Sequence, residues 1–175
     1  TCTVLSDSDI VFSGEASFRL ALENMRQLYS PKQIFVLQGC VSDMIQDDLF
    51  PEAQRFQAET GIPVLVLEAA GYRGSFLQGY EAAALALLKL MDVQSGPDGS
   101  GLPKINLLGL GTDDYRLDAD LQAMSALLEG KAELGCVLGR CTLAEIARAP
   151  RAKLNLCFGR GIELAKAMEQ TFGIP

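Results

Sequence analysis

Short β-branched runs alternate with runs of helical period along nearly the whole chain, and this alternation constrains the fold more than any single motif. Phe18, Ala21, Leu22, Met25, Leu28 and Tyr29 recur at helical spacing after a Gly14-Glu15 start, and Ser30-Pro31 ends that run. Residues 33–38 (QIFVLQ) then read as a buried strand. Residues 44–60 read as a second helix, with Asp43 as its N-cap and Gly61 as its stop. A strand at 63–67 follows, and Phe76, Tyr80, Ala83, Ala84, Leu87, Leu88 and Met91 mark a third helix with one apolar face.

Residues 93–103 are rich in Gly, Ser and Pro and read as a linker. Beyond them the alternation resumes: strands at 104–109, 133–138 and 152–158, helices at 119–128, 142–148 and 162–172. Thr142 with Glu145 three residues later forms a capping box. Strands alternating with helices predict an α/β protein with doubly wound, parallel sheets of Rossmann-like topology. Two partial units are expected: residues 1–92 as the later part of one α/β domain, and 104–175 as the start of a second.

Composition excludes several functions. Fifteen Lys and Arg stand against 22 Asp and Glu, a net charge of −7, which disfavours a nucleic-acid partner. The longest apolar stretch, residues 82–91, is broken by Lys89 and is too short to span a bilayer. The first residues show no secretory signal, so a cytoplasmic protein with reduced thiols is expected. With no His in the chain, the usual general base and Ser-His or Cys-His pairs are absent. The ends, Thr1 without Met and Gly173-Ile174-Pro175, are those expected of a piece of a longer protein.

In doubly wound sheets ligands bind at the carboxyl ends of strands, which directs attention to four loops. After residues 33–38 comes Cys40, just before a helix N-terminus, where the dipole favours a thiolate. Position alone leaves it a metal or cluster ligand, or a small buried hydrophobe. Asp47-Asp48 are either acid–base machinery or carboxylates decorating a first helical turn. After residue 67, Gly71 and Gly74 permit a turn that exposes Arg73, as an anion site or a solvated turn. Gly109-Leu-Gly-Thr112 sits where a dinucleotide loop would, but lacks the third glycine and carries Asp113-Asp114 where phosphates would lie. Near the loop after residue 158, Cys157 reads as buried packing. Cys136 and Cys141 flank a strand end without CxxC spacing, and Cys136 reads as core.

Four segments in order carry a resemblance to a known family. Residues 9–15 (DIVFSGE) resemble the "DIVFGGE" segment of nitrogenase component 1 proteins, and Cys40 to Leu49 resembles their "CxxxxIGDD(I/L)" cluster-ligand motif. Gly71-Tyr-Arg-Gly-Ser75 is similar to their "GFxGS" turn, followed by the Gly79-Tyr80 pair. Residues 142–175 resemble their "S(I/L)xEIxxxPxxKLNL" run ending in "YGIP". The family spans the molybdenum–iron protein subunits, cofactor-assembly scaffolds and light-independent protochlorophyllide and chlorin reductases.

The resemblance implies a middle fragment of such a subunit, with Cys40 as one ligand of an iron–sulfur cluster shared with a homologous partner subunit. The remaining ligands would lie outside this chain. It also implies a turn at Gly71, Arg73 and Gly74 near the cofactor, and an ATP-dependent iron–sulfur reductase that delivers electrons to the cluster for a cofactor or substrate. A non-catalytic scaffold for metallocluster assembly is the second reading, and a cluster-free Rossmann-like binding domain the third. Gln46 and Ser13 stand where the motifs have glycine, and Cys157 lies two residues before the position of the catalytic subunits' cofactor cysteine, which is Gly159 here. The histidine those subunits carry after "GFRG" is missing, so the resemblance does not extend to dinitrogen reduction. The fragment alone is expected to be cluster-free and inactive.

Overall fold

The computed structural model describes residues 2–92 and 101–175, which form two compact units, Thr1–Ser75 and Phe76–Pro175. The 93–100 part of the expected linker lies outside the described residues. The helix beginning at Phe76, which sequence attached to the first domain, falls within the second unit.

The first unit runs α1 (Asp7–Phe12), α2 (Glu15–Tyr29), β1 (Ile34–Gln38), α3 (Cys40–Met44), α4 (Phe50–Thr60) and β2 (Val64–Glu68). Helix α1 is started by a capping box in which Ser6 and Asp9 satisfy each other's backbone N–H, a short element that sequence periodicity did not single out. Strands β1 and β2 pair in parallel, Ile34 opposite Val64 through Gln38 opposite Glu68. Phe18 and Leu22 from α2, Ala53 and Phe56 from α4, and Ile34 and Val66 from the strands make the core, with Phe56 fully enclosed. Arg19 lies 5.4 Å from the centroid of the Phe56 ring and also pairs with Glu52 and Glu59.

The expected single helix over 44–60 is two helices. Gln46 takes a left-handed conformation (φ 59°), which closes α3, and Pro51 lies in the first turn of α4, where its missing N–H costs nothing. Buried Gln38 holds the break by donating from Nε2 to the Asp47 carbonyl at 2.8 Å. Asp43 is therefore inside α3 rather than a cap. Gly61, in the left-handed region, ends α4 as expected.

The second unit runs α5 (Phe76–Ala86), a 3-10 turn (Leu87–Leu90), β3 (Lys104–Leu108), α6 (Leu117–Leu128), β4 (Glu133–Val137), α7 (Leu143–Arg148), a 3-10 turn (Ala149–Arg151), β5 (Leu154–Cys157) and α8 (Ile162–Phe172). Its sheet is parallel with order β4-β3-β5. The chain moves one way from β3 to β4 and back past β3 to β5. Right-handed crossovers in opposite directions put α6 and α7 on opposite faces, the doubly wound arrangement. Leu108, Cys136, Leu138, Ile146, Leu164 and Met168 form the core. A register shift between Ile105 and Leu107 is filled by the Asn106 side chain: Oδ1 accepts from the Cys136 N–H at 2.9 Å, while Nδ2 donates to the Ala149 carbonyl and to Asn155 Oδ1. No helix among the described residues is long and apolar enough to cross a membrane.

Candidate functional site

The carboxyl edge of the first unit's sheet gathers three of the segments singled out in sequence. Gly39 is extended and caps α3, so Cys40 opens that helix with its side chain exposed. The Gly71 N–H donates to Cys40 Sγ at 3.2 Å, bringing the loop after β2 onto the thiol. Asp43, one turn along α3, accepts from Arg73 Nε at 2.9 Å and Nη2 at 2.5 Å, and from the Tyr72 hydroxyl. Arg73 also donates from Nη1 to Glu68 at 2.8 Å. Behind the loop, the buried Asp47 carboxylate accepts from the Gly14 N–H at 3.1 Å, which ties the residue 9–15 segment to the cysteine loop.

This arrangement is electrostatically closed. Arg73, and then Tyr72, hold the Asp43 carboxyl below the ordinary carboxylate range. Asp43 in turn keeps the Arg73 guanidinium firmly protonated and pushes the Tyr72 phenol up. Arg73 is half exposed, but two carboxylates already engage it, so it braces the Cys40 loop against the 71–75 turn. Gly74 is exposed in the same turn. Asp47 and Asp48 accept backbone N–H groups, from Gly14 and from Phe50 respectively, and so serve as structural acceptors. Among the described residues no group of three or more Cys, Asp or Glu is arranged to hold a metal ion. Cys40 offers one exposed thiol at this edge.

At the carboxyl ends of β3 and β5 in the second unit, where such folds take phosphates, the chain fills its own site. Arg160, 15% exposed at its side chain, donates to the Gly109 carbonyl at 2.9 Å, to Asp113 at 2.7 Å and to Asp114 at 3.0 Å. Its guanidinium lies 4.8 Å from the centroid of the Tyr80 ring. The Glu81 carboxylate takes the N–H groups of Gly161, Ile162 and Glu163 at the start of α8, as a bound anion would. Asp113 and Asp114 thus have a structural reason that sequence did not reveal: they hold Arg160.

The remaining cysteines divide differently from expectation. Cys136 is core, 4% exposed. Cys157, expected to be buried, is exposed, because it ends β5, an edge strand of the sheet among the described residues. Cys141, given no partner in sequence, is half-buried and packs against the core cluster that includes Cys136.

Comparison with known proteins matches residues 1–175 to the family described as nitrogenase component 1 type oxidoreductase. The nitrogenase iron-molybdenum cofactor biosynthesis protein NifE of Clostridium pasteurianum is 33% identical over 99% of this chain and 38% of its own length. The NifE protein of Nostoc sp. is 30% identical over 99% of this chain and 36% of its own length. The chain therefore spans under two fifths of these relatives. The solved structure of nitrogenase Cp1 at pH 5 superposes with a TM-score of 0.81 at 26% identity, covering 98% of this chain and 35% of that one. With a match along its whole length and the same arrangement of helices and parallel strands, the chain belongs to the nitrogenase component 1 type oxidoreductase family.

Proposed function

We propose that this chain is the part of a cofactor-biosynthesis scaffold that supplies one thiolate, Cys40, to an iron–sulfur cluster shared with a homologous partner subunit. The observation that carries the reading is the braced thiol. Cys40 is exposed, accepts the Gly71 N–H, and opens a loop pinned by Asp43–Arg73 on one side and by Asp47–Gly14 on the other. An N–H donor on a ligating sulfur and a fixed loop are what such clusters use to tune potential. Gly71, Arg73 and Gly74 shape the wall beside the cluster, Arg73 through its carboxylate partners. The bound cluster would supply low-potential electron storage; this chain's residues orient one ligand and hold its loop.

The scaffold assignment draws on the two NifE relatives, whose names describe cofactor biosynthesis. An oxidoreductase reading, in which an ATP-dependent iron–sulfur reductase feeds electrons through the same cluster to a cofactor or substrate, draws on the family's description and on the nitrogenase Cp1 neighbour. The test uses the full-length protein with its partner, purified without oxygen. Cys40→Ser should lower bound iron and alter the cluster's absorbance and paramagnetic spectra, while Cys157→Ser should leave both unchanged. Unchanged iron and spectra in Cys40→Ser would overturn the ligand assignment. Reductase-dependent turnover of a substrate by the intact protein would favour the oxidoreductase reading over the scaffold.

A further inference from the structure

The last residue of β1 is a glutamine that hydropathy alone would not place in a core. Strand alternation sets Gln38 on the same face as Ile34, and it is 5% exposed. The helix that follows, α3, has five residues and no side-chain cap, too few to hold a helical shape alone. Its end is closed by the backbone. The Asp47 N–H donates to the Ser42 carbonyl at 3.0 Å and the Gln46 N–H to the Asp43 carbonyl at 3.1 Å, with Gln46 left-handed at φ 59°. These bonds make a Schellman motif, built with glutamine at the position that favours glycine.

The Gln38 side chain fastens both ends of that motif. Nε2 donates to the Asp47 carbonyl at 2.8 Å and to Ser42 Oγ at 3.3 Å. The Gln38 carbonyl accepts the Ala69 N–H at 3.0 Å, two residues before the Gly71 N–H that meets Cys40 Sγ. Gln38 thus joins the arm that carries the sulfur to the arm that carries its donor. The Asp43–Arg73 pair links the same arms through a half-exposed guanidinium, whereas the Gln38–Asp47 bond is buried.

We propose that Gln38 is a positioning residue for the cluster ligand: it holds the Cys40 sulfur against the Gly71 N–H, and through that contact sets the reduction potential of the cluster. The tuning rests on Cys40 being a cluster ligand; the placement does not. An N–H donor on a ligating sulfur stabilises the reduced, more negative cluster, so it raises the potential. Without the Gln38 amide the Asp47 carbonyl loses its buried donor, the turn opens, and the sulfur drifts from the Gly71 N–H.

The full-length protein, prepared without metal, tests the placement. In Gln38→Met, which keeps the length of the side chain but not its N–H groups, deuterium exchange at the Gly71 amide should accelerate about tenfold, the factor of one buried hydrogen bond. The Ile34 amide, bonded to the Pro63 carbonyl at the other end of β1, should exchange as in the parent. Gln46→Gly removes the left-handed cost and should slow Gly71 exchange roughly threefold. Unchanged Gly71 exchange in a folded Gln38→Met would overturn the proposal; should that variant not fold, unchanged exchange in Gln46→Gly would do so. Equal acceleration at Ile34 would also overturn it, since Gln38 would then act on the whole unit.

The cluster-loaded protein with its partner tests the tuning. Gln38→Met should keep its iron while the midpoint potential falls by about 59 mV, a tenfold change in the ratio of reduced to oxidised cluster. Retained iron with an unchanged potential would refute the tuning and leave Cys40 a ligand. If instead Cys40→Ser left iron and spectra unchanged, the ligand reading and the tuning would fall together, and Gly71 exchange would still decide whether Gln38 places the thiol.

Discussion

Asn106 is the polar residue on which the second unit's sheet depends, and replacing it gives a sharp test of that claim. In Asn106→Leu the side-chain volume is nearly kept, but three hydrogen bonds go: to the Cys136 N–H, the Ala149 carbonyl and Asn155 Oδ1. The Ala149 carbonyl keeps the Ala152 N–H at 3.1 Å, so it is not orphaned. The Cys136 N–H and Asn155 Oδ1 lose the buried partner they share, at about 1–3 kcal/mol each. The buried leucine returns roughly 1.5 kcal/mol of transfer free energy. The net loss is then about 0.5–4.5 kcal/mol, with about 2.5 kcal/mol central, a large part of the roughly 5–15 kcal/mol that holds a domain. With a urea slope of about 2 kcal/mol/M, the midpoint of the far-UV circular dichroism transition should fall by about 1.2 M. Hydrogen exchange at the Cys136 amide should accelerate to match. The double variant with Asn155→Leu should lose less than the sum of the single variants, because the two side chains share a bond. A midpoint unchanged in Asn106→Leu, or strict additivity, would refute the idea that this network pins the sheet's register.

Two further outcomes follow from the geometry. Gly109→Ala should cost at least about 2 kcal/mol, because at φ +92° its Cβ would sit 2.5 Å from the Arg160 carbonyl oxygen, whereas Gly130→Ala, at φ +72° in open space, should cost about 1 kcal/mol; equal urea midpoints would refute the difference. Asp43 has its carboxyl lowered by Arg73 and then Tyr72, so its contribution is complete above the unfolded value of 3.8 and is lost as pH falls through the depressed folded value. The stability gap between the parent and Asp43→Asn should therefore shrink between neutral pH and pH below 3.8, and a constant gap in urea titrations would rule out the Asp43–Arg73 brace.

What sequence made legible is what local physics decides. The β-branched runs gave β1 to β5, and the helical spacing gave α2, α6 and α8 to within a residue or two. The Thr142–Glu145 box and the Gly61 stop stand because capping uses only near neighbours. The misreadings share the opposite cause. The α3–α4 break rests on Gln46 in a left-handed conformation and on Gln38 reaching the Asp47 carbonyl, neither of which has a periodic signature. Cys157 reads as core by hydropathy, yet it ends an edge strand, and strand order is a tertiary fact. Asn106 in an apolar strand looks like an interruption until Cys136, Ala149 and Asn155 arrive from other segments to use it.

Cys40 falls between these two classes. Its placement after a strand and before a helix was readable, because strand ends and helix starts are local. Its bond to the Gly71 N–H was not, because 31 residues separate the partners. The resemblance joined the two segments as motifs in order, and the structure supplies the physical reason they belong together: Asp43 and Arg73 clamp the second segment against the first. A loop that needed only to be soluble would have no use for a buried carboxylate paired with an arginine beside an exposed thiol. Here the ion pair sits one helical turn from the sulfur, so loosening it would move Cys40 and the Gly71 donor apart together.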